Sequence, residues 1–366
     1  MKYKTIVFLS VMSTALPFLA RTQVFEKSRH ESKAFKVYDE TALEIYNKYG
    51  NIRLFTWEKD SVKIDISMQI KSGKEAKLEK IYEYIDFEFS DSKYYIIART
   101  RLNQQGAFWA EVSDLANAFF SGGTSVRIDY DVYLPAEINI RLENKFGNIY
   151  TTNHSGKVTV VLSNGDLKAN NLTGSSDLQV SFGNASVNAV GPGKLTLNYG
   201  EIAIVSAGSL SVESKSATLN IGKVGTLDIN SRRDKYIVDE VASVTGTTSF
   251  TYLTLKNLSS DLTLKADYGE IKLEAVNPEF KQVEINSNYT DLLLRLPVNV
   301  SYGTEIDHTG TTEITSPQNY SGLKTEVTDK KEDRYHTGGT AGSGVLKRGK
   351  ISISMISGKI SFREIP

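Results

Sequence analysis

Acids and amides recur at near-constant spacing along the middle of the chain: Asn148, Asp166, Asn184, Glu201, Glu270 and Asp291. Carboxylates gathered in this way could do acid–base work on a glycosidic bond, or hold calcium beside an Arg or Lys. Acids and amides at chain corners are also ordinary turn residues. The row is broken between Ala217 and Leu253, where Lys235 intrudes, which favours a structural ladder over a catalytic one. Asp129 and Asp131 are spaced two apart, on one strand face, and read as a solvated pair. Arg232-Arg233 beside Asp234-Lys235 reads as a small solvated charged patch. His30, His154, His308 and His336 are scattered, without ligand spacing. There is no Gly-x-Ser-x-Gly elbow, phosphate loop, His-Glu-x-x-His or calcium-loop repeat. The expectation is a chain without catalytic residues, cofactor or metal.

The elements that position this row are set by an internal repeat. Asn47-Lys48-Tyr49-Gly50-Asn51-Ile52 and Asn144-Lys145-Phe146-Gly147-Asn148-Ile149 are two copies of one hexapeptide. From the second copy a weaker motif continues at Gly147, Gly165, Gly183, Gly200, Ala217, Asp234, Thr251, Gly269 and Thr290, in steps of 17 or 18 residues and a last step of 21. An aromatic residue often precedes this position (Phe146, Phe182, Tyr199, Phe250, Tyr268, Tyr289). Apolar residues follow at two and four places, as in Leu167 and Ala169 or Ile202 and Ile204. A second alternating run closes each unit, as in Val158 and Val160 or Leu195 and Leu197. Each unit therefore predicts two short strands separated by polar corners. One unit cannot bury its own apolar face, but coils of 17–18 residues stacked like on like give a continuous core. The fold expected is all-β, a β-solenoid rising about 4.8 Å per coil, with glycine serving corners that need φ > 0 and the aromatics stacking along the axis.

The flanks depart from the repeat. Residues 24–135 are expected to form strands and a helical cap, 136–315 the solenoid, and 316–366 a polar loop followed by terminal strands. In the cap, Ser72-Gly73-Lys74-Glu75 reads as a capping box opening a helix with Leu78, Ile81, Tyr82 and Ile85 on one face. A second helix is predicted over Phe108 to Phe120, next to Trp109. Residues 1–20 place two lysines before a short apolar run and read as a secretory signal peptide. No later apolar stretch is long enough to span a membrane as a helix.

The full chain has 366 residues, 43 Lys plus Arg against 43 Asp plus Glu, and no cysteine. Zero net charge argues against a nucleic-acid partner. Without cysteine there is no disulfide, Cys-ligated metal or thiol nucleophile.

The hexapeptides, the signal segment, the helix after the first strands and the aromatic-Gly-acid/amide repeats together resemble those of the bacterial envelope auto-transporter adhesins with a head GIN domain. The resemblance covers roughly residues 24–366. It implies a right-handed, single-stranded β-helix with an α+β N-terminal cap, exported to the periplasm or surface of a Gram-negative bacterium. The function expected is a non-enzymatic scaffold or adhesin-like surface for an envelope protein or polysaccharide, with Tyr150, Trp57 and Trp109 among the contacts. The alternatives are a carbohydrate-active β-helix enzyme, or an envelope sensor docking a membrane partner through the Phe108 to Phe120 helix.

Overall fold

Period-2 alternation becomes strand almost throughout. The computed structural model describes residues 24–102 and 123–365, apart from residues 299, 319, 321, 343 and 345. The segment 1–20 read as a signal peptide, Trp109 and the helix expected over Phe108 to Phe120 lie outside the described residues. Within them the chain is all-β with one short helix and one long mixed sheet.

The repeat region holds β8 (Asn139–Lys145), β9 (Ile149–Thr151), β10 (Val158–Ser163), β11 (Leu167–Leu172), β12 (Ser176–Ser181), β13 (Ala185–Asn198), β14 (Glu201–Lys215), β15 (Thr218–Arg232), β16 (Lys235–Leu273) and β17 (Gln282–Pro297). Pairing there is parallel and in step with the repeat. Val160 lies opposite Leu142 and Leu178, and Leu167 opposite Ile149 and Ala185. Ile202 faces Ala185 and Leu219, and Leu227 faces Leu210 and Val244. Like positions therefore stack, and the inward side chains of both runs join one apolar core. Full burial of each Leu, Ile or Val there contributes about 1.5–3 kcal/mol.

The first hexapeptide is also a rung of this stack. β2 (Ala42–Lys48) lies between β8 and β6 (Tyr95–Leu102), with Leu43 opposite both Ile140 and Ile96. β3 (Ile52–Thr56) lies between β9 and β7 (Ser125–Leu134), with Ile52 opposite Ile149 and Tyr130. The far end repeats the arrangement with β18 (Val300–Thr309), β19 (Thr312–Thr315), β22 (Leu346–Met355) and β23 (Gly358–Ile365). β22 sits between β17 and β18, and β23 between β17 and β19. At each end, then, one rung lies inside strands that are remote from it in sequence.

Antiparallel strands close both ends. β1 (Phe25–Lys36) pairs β4 (Ser61–Ser72), β4 pairs β7, and β5 (Ile85–Asp91) pairs β6. β20 (Lys324–Asp329) pairs β21 (Arg334–Ala341), which pairs β18. Such closure limits the open parallel edges that invite association. The helix α1 (Glu75–Tyr84) buries Leu78 and Ile81. Its capping box does not form: Lys74 is the N-cap and carries no side-chain cap bond. Ser72 is instead the buried last residue of β4, its hydroxyl 3.3 Å from that of Thr124. The stretch 316–343, read as loop, holds the β20–β21 hairpin. β20 is exposed at every position, so its sequence has no alternation to reveal it.

His336 of β21 lies between two carboxylates of β18: Nε2 is 2.8 Å from Glu305 and Nδ1 is 2.8 Å from Asp307. Glu326 of β20 is opposite it in the ladder. The hydrogen bond to Asp307 raises the His336 pKa, outweighing the opposing effect of burial. The charged ring thus stabilises this pairing fully below its unfolded pKa of about 6.5, and the contribution is lost as pH rises through the raised value. Hydrogen exchange at β21 amides should be faster in His336→Gln than in the unaltered chain near pH ~5, with the two converging near pH ~8.5. Equal rates at the lower pH would contradict this.

Candidate functional site

The corner preceding each first strand is built from three adjacent columns. In the first, Tyr49, Phe146, Asn164, Phe182, Tyr199, Ser216, Arg233, Phe250, Tyr268 and Tyr289 all adopt the left-handed conformation, with φ between 52° and 64°. The positive φ therefore falls on the residue before the glycine, correcting the expectation that glycine supplies it. The glycines serve close approach. A Cβ at Gly147 would lie 1.9 Å from the Gly50 carbonyl oxygen, and one at Gly165 2.0 Å from that of Gly147. At Gly183 and Gly200 the corresponding distance is 1.9 Å. Gly269, at φ 149°, is the repeat glycine that also needs its own conformational freedom.

Where glycine is replaced, the side chain turns inward. Asp234, Thr251 and Thr290 are buried. Asp234 accepts hydrogen bonds from the Ser214 and Ser231 hydroxyls (both 2.7 Å), from Ala217 N–H (2.8 Å) and from Arg232 N–H (2.9 Å).

The third column is the acid/amide row. Each backbone N–H donates to the side-chain oxygen of the rung before: Asp166 to Asn148 (2.8 Å), Asn184 to Asp166 (3.0 Å) and Glu201 to Asn184 (3.1 Å). The structure extends this ladder to two residues outside the row. Asn148 N–H donates to Asn51 (3.0 Å), and Asn51 N–H to Asp129 (2.9 Å). Asn51 was visible in the first hexapeptide; Asp129 was not, because β7 is no copy of the repeat. Glu270 and Asp291 are separated from this run by Thr218, Lys235 and Tyr252. They face each other on neighbouring strands, with Glu270 paired to Lys272 at 2.7 Å and Asp291 accepting from Lys359 N–H at 3.0 Å. The row satisfies backbone donors and does not converge on one point.

Carboxylates do gather on the outer face of β4, β7 and β3, but with cations among them. Arg53 bonds Asp131 (2.5 Å) and lies 3.5 Å from Asp129; Arg127 bonds Asp129 (2.9 Å) and Lys63 bonds Asp65 (2.7 Å). Asp129 is buried, so the solvated pair of the sequence reading is an ion-paired network. Burial raises the Asp65 pKa, but the Lys63 and Ser32 hydrogen bonds outweigh it and hold the carboxyl below its ordinary range. A carboxyl general acid needs the opposite shift. The neighbouring open groove, about 460 Å³, is lined by Arg29, His30, Ser67, Gln69 and Arg127 among others. Among the described residues no three His, Asp or Glu side chains are placed to hold a metal ion.

The ring column is the exposed feature. Tyr49 stacks on Phe146 (centroids 5.6 Å apart, planes 6° apart), Phe182 on Tyr199 (5.1 Å, 6°), Phe250 on Tyr268 (4.9 Å, 3°) and Tyr268 on Tyr289 (5.0 Å, 8°). From Phe146 onward these rings are 40–60% exposed. Tyr150 and Trp57 are instead half-buried and tied down. The Tyr150 hydroxyl accepts from the Asn148 amide (2.9 Å), and the Trp57 indole N–H donates to the Ser61 carbonyl (2.8 Å).

No protein-family model matches the chain, and no curated protein matches it in sequence. Among solved structures it is similar to a candidate adhesin from Parabacteroides merdae, at 12% identity over 72% of this chain and 95% of that one, with a TM-score of 0.32. A candidate adhesin from Parabacteroides distasonis shares 9% identity over 89% and 97% of the two chains (TM-score 0.28). A candidate lipid-binding protein from the same organism shares 12% over 72% and 90% (TM-score 0.27).

Proposed function

We propose that the chain is a right-handed, single-stranded β-solenoid with an α+β N-terminal cap. In this reading it is exported to the periplasm or cell surface of a Gram-negative bacterium and acts there as a non-enzymatic adhesin-like or scaffolding surface. Parallel pairing in steps of 17 or 18 residues supports the coil. The ion pairs of Asp65, Asp129 and Asp131 with Lys63, Arg53 and Arg127 support a binding role over hydrolysis.

One observation carries the proposal: exposed aromatic rings occupy a left-handed backbone position rung after rung. A residue with a Cβ in that conformation costs roughly 1–2 kcal/mol. A ring stack returns about 0.5–1.5 kcal/mol, so the rings bring little net stability. Asn164 occupies the same conformation, and Asn adopts it with the least strain after glycine. Rings kept at such positions, half in water, are better accounted for by what they touch outside the molecule.

The acid/amide ladder of Asn148, Asp166, Asn184, Glu201, Glu270 and Asp291 supplies polar contacts alongside the rings. The test is the pair Phe182→Asn with Tyr268→Asn. Stability should change by no more than about 1 kcal/mol, while adherence of the purified chain to isolated cell envelopes falls severalfold. Unchanged adherence would remove the rings from the binding surface.

A further inference from the structure

We infer that the interruption of the ring column, at Lys215, Arg232, Arg233 and Lys235, binds a linear polysaccharide carrying carboxylates on successive sugars. This inference rests on the corner being a binding surface. Between Tyr199 and Phe250 the column holds Ser216 and Arg233 in place of rings. Beside them Lys215 lies opposite Arg232 on adjacent strands, and Lys235 opposite Thr218. Like charges on neighbouring strands, about 4.8 Å apart, repel each other.

Arg53, Lys63, Lys223, Lys256 and Lys272 on these sheets are each matched by an acid. Lys215, Arg232, Arg233 and Lys235 have no carboxylate within ion-pairing distance among the described residues; the Lys215 ammonium instead sits 5.8 Å from the centre of the Tyr199 ring. The acid between them in sequence does not cover them. Asp234 is 3% exposed, and its oxygens are occupied by the Ser214 and Ser231 hydroxyls and by the N–H groups of Ala217 and Arg232. It braces the backbone from within and leaves the cations to the outside.

Exposed rings bracket the cluster, Tyr199 on one side and Phe250 with Tyr252 on the other. Cations set along the stack and flanked by rings suit a chain of anionic sugars. Carboxylates meet guanidinium and ammonium groups, and the C–H faces of the sugars lie against the rings. A nucleic acid would call for a far larger basic footprint than a chain of zero net charge provides. A lipid surface would call for apolar side chains to insert, whereas Ser216 and Thr218 lie between the cations.

The experiment titrates the purified chain with polygalacturonate and with its fully methyl-esterified form, which keeps the sugar backbone and removes the charge. Calorimetry should show binding to the first, weakening as salt rises, and affinity for the ester lower by at least about tenfold. The triple variant R232Q/R233Q/K235Q, checked for an unchanged circular dichroism spectrum, should lose a similar factor. Equal affinity for acid and ester, full affinity in the triple variant, or tighter binding to anionic phospholipid vesicles or a single-stranded oligonucleotide would each overturn the inference. Absence of polygalacturonate binding, with envelope adherence that still depends on Phe182 and Tyr268, would overturn it while leaving the proposed surface standing.

Discussion

Gly183→Ala should destabilise the chain by more than about 3 kcal/mol, whereas Gly208→Ala should leave it nearly unchanged. The added Cβ at Gly183 would fall 1.9 Å from the Gly165 carbonyl oxygen, about half an ordinary contact distance. No side chain can step aside, because the obstacle is backbone held in its own ladder. Opening the gap would stretch the bonds on both sides of the rung, including that from Asn184 N–H to Asp166. At Gly208 the nearest atom to the same Cβ is 4.0 Å away. Urea unfolding of the two variants measures the contrast. Equal midpoints would show that the rungs can separate at the corner and that the glycine column has another cause.

Asp234→Ala is the second large effect expected, about 4 kcal/mol of lost stability. The substitution strands two hydroxyls and two backbone N–H groups in a buried corner, and each unsatisfied group costs about 1–3 kcal/mol, less where a hydroxyl finds another acceptor. The Ser214 hydroxyl lies 2.6 Å from Tyr236 Oη, and that of Ser231 2.8 Å from Thr251 Oγ1, so the two N–H groups dominate. Asp234→Asn retains one acceptor oxygen and should lose roughly half as much. Thermal unfolding of both variants gives the order. An Ala variant as stable as the parent would mean that water enters the corner and replaces the carboxylate.

The repeat columns were legible because alternation and spacing are local properties. Val160, Leu178 and Leu195 declare themselves in sequence and stack as expected. The ladder from Asn148 to Glu201 was legible for the same reason. The purpose of the glycines was not, because the atom each avoids belongs to a rung 17 or 18 residues earlier, or, for Gly147, to Gly50. Nor was the role of Asp129, which enters the ladder from a strand outside the repeat. Arg232 to Lys235 read as a solvated charged patch as a whole, because the order of residues does not say that the Asp234 side chain turns inward. β20, exposed at every position, carries no burial signal at all.

The inserted rungs at the two ends bear on how the molecule would resist force. Were β23 the outermost strand, tension at Ile365 could peel it away one hydrogen bond at a time. It is instead clamped between β17 and β19, with β22 clamped between β17 and β18. Tension there has to shear two ladders together, loading many bonds in parallel. β2 and β3 hold the same position at the other end. At the ends of the stack β2, β3, β22 and β23 are thus locked in place, each held by a ladder on either side.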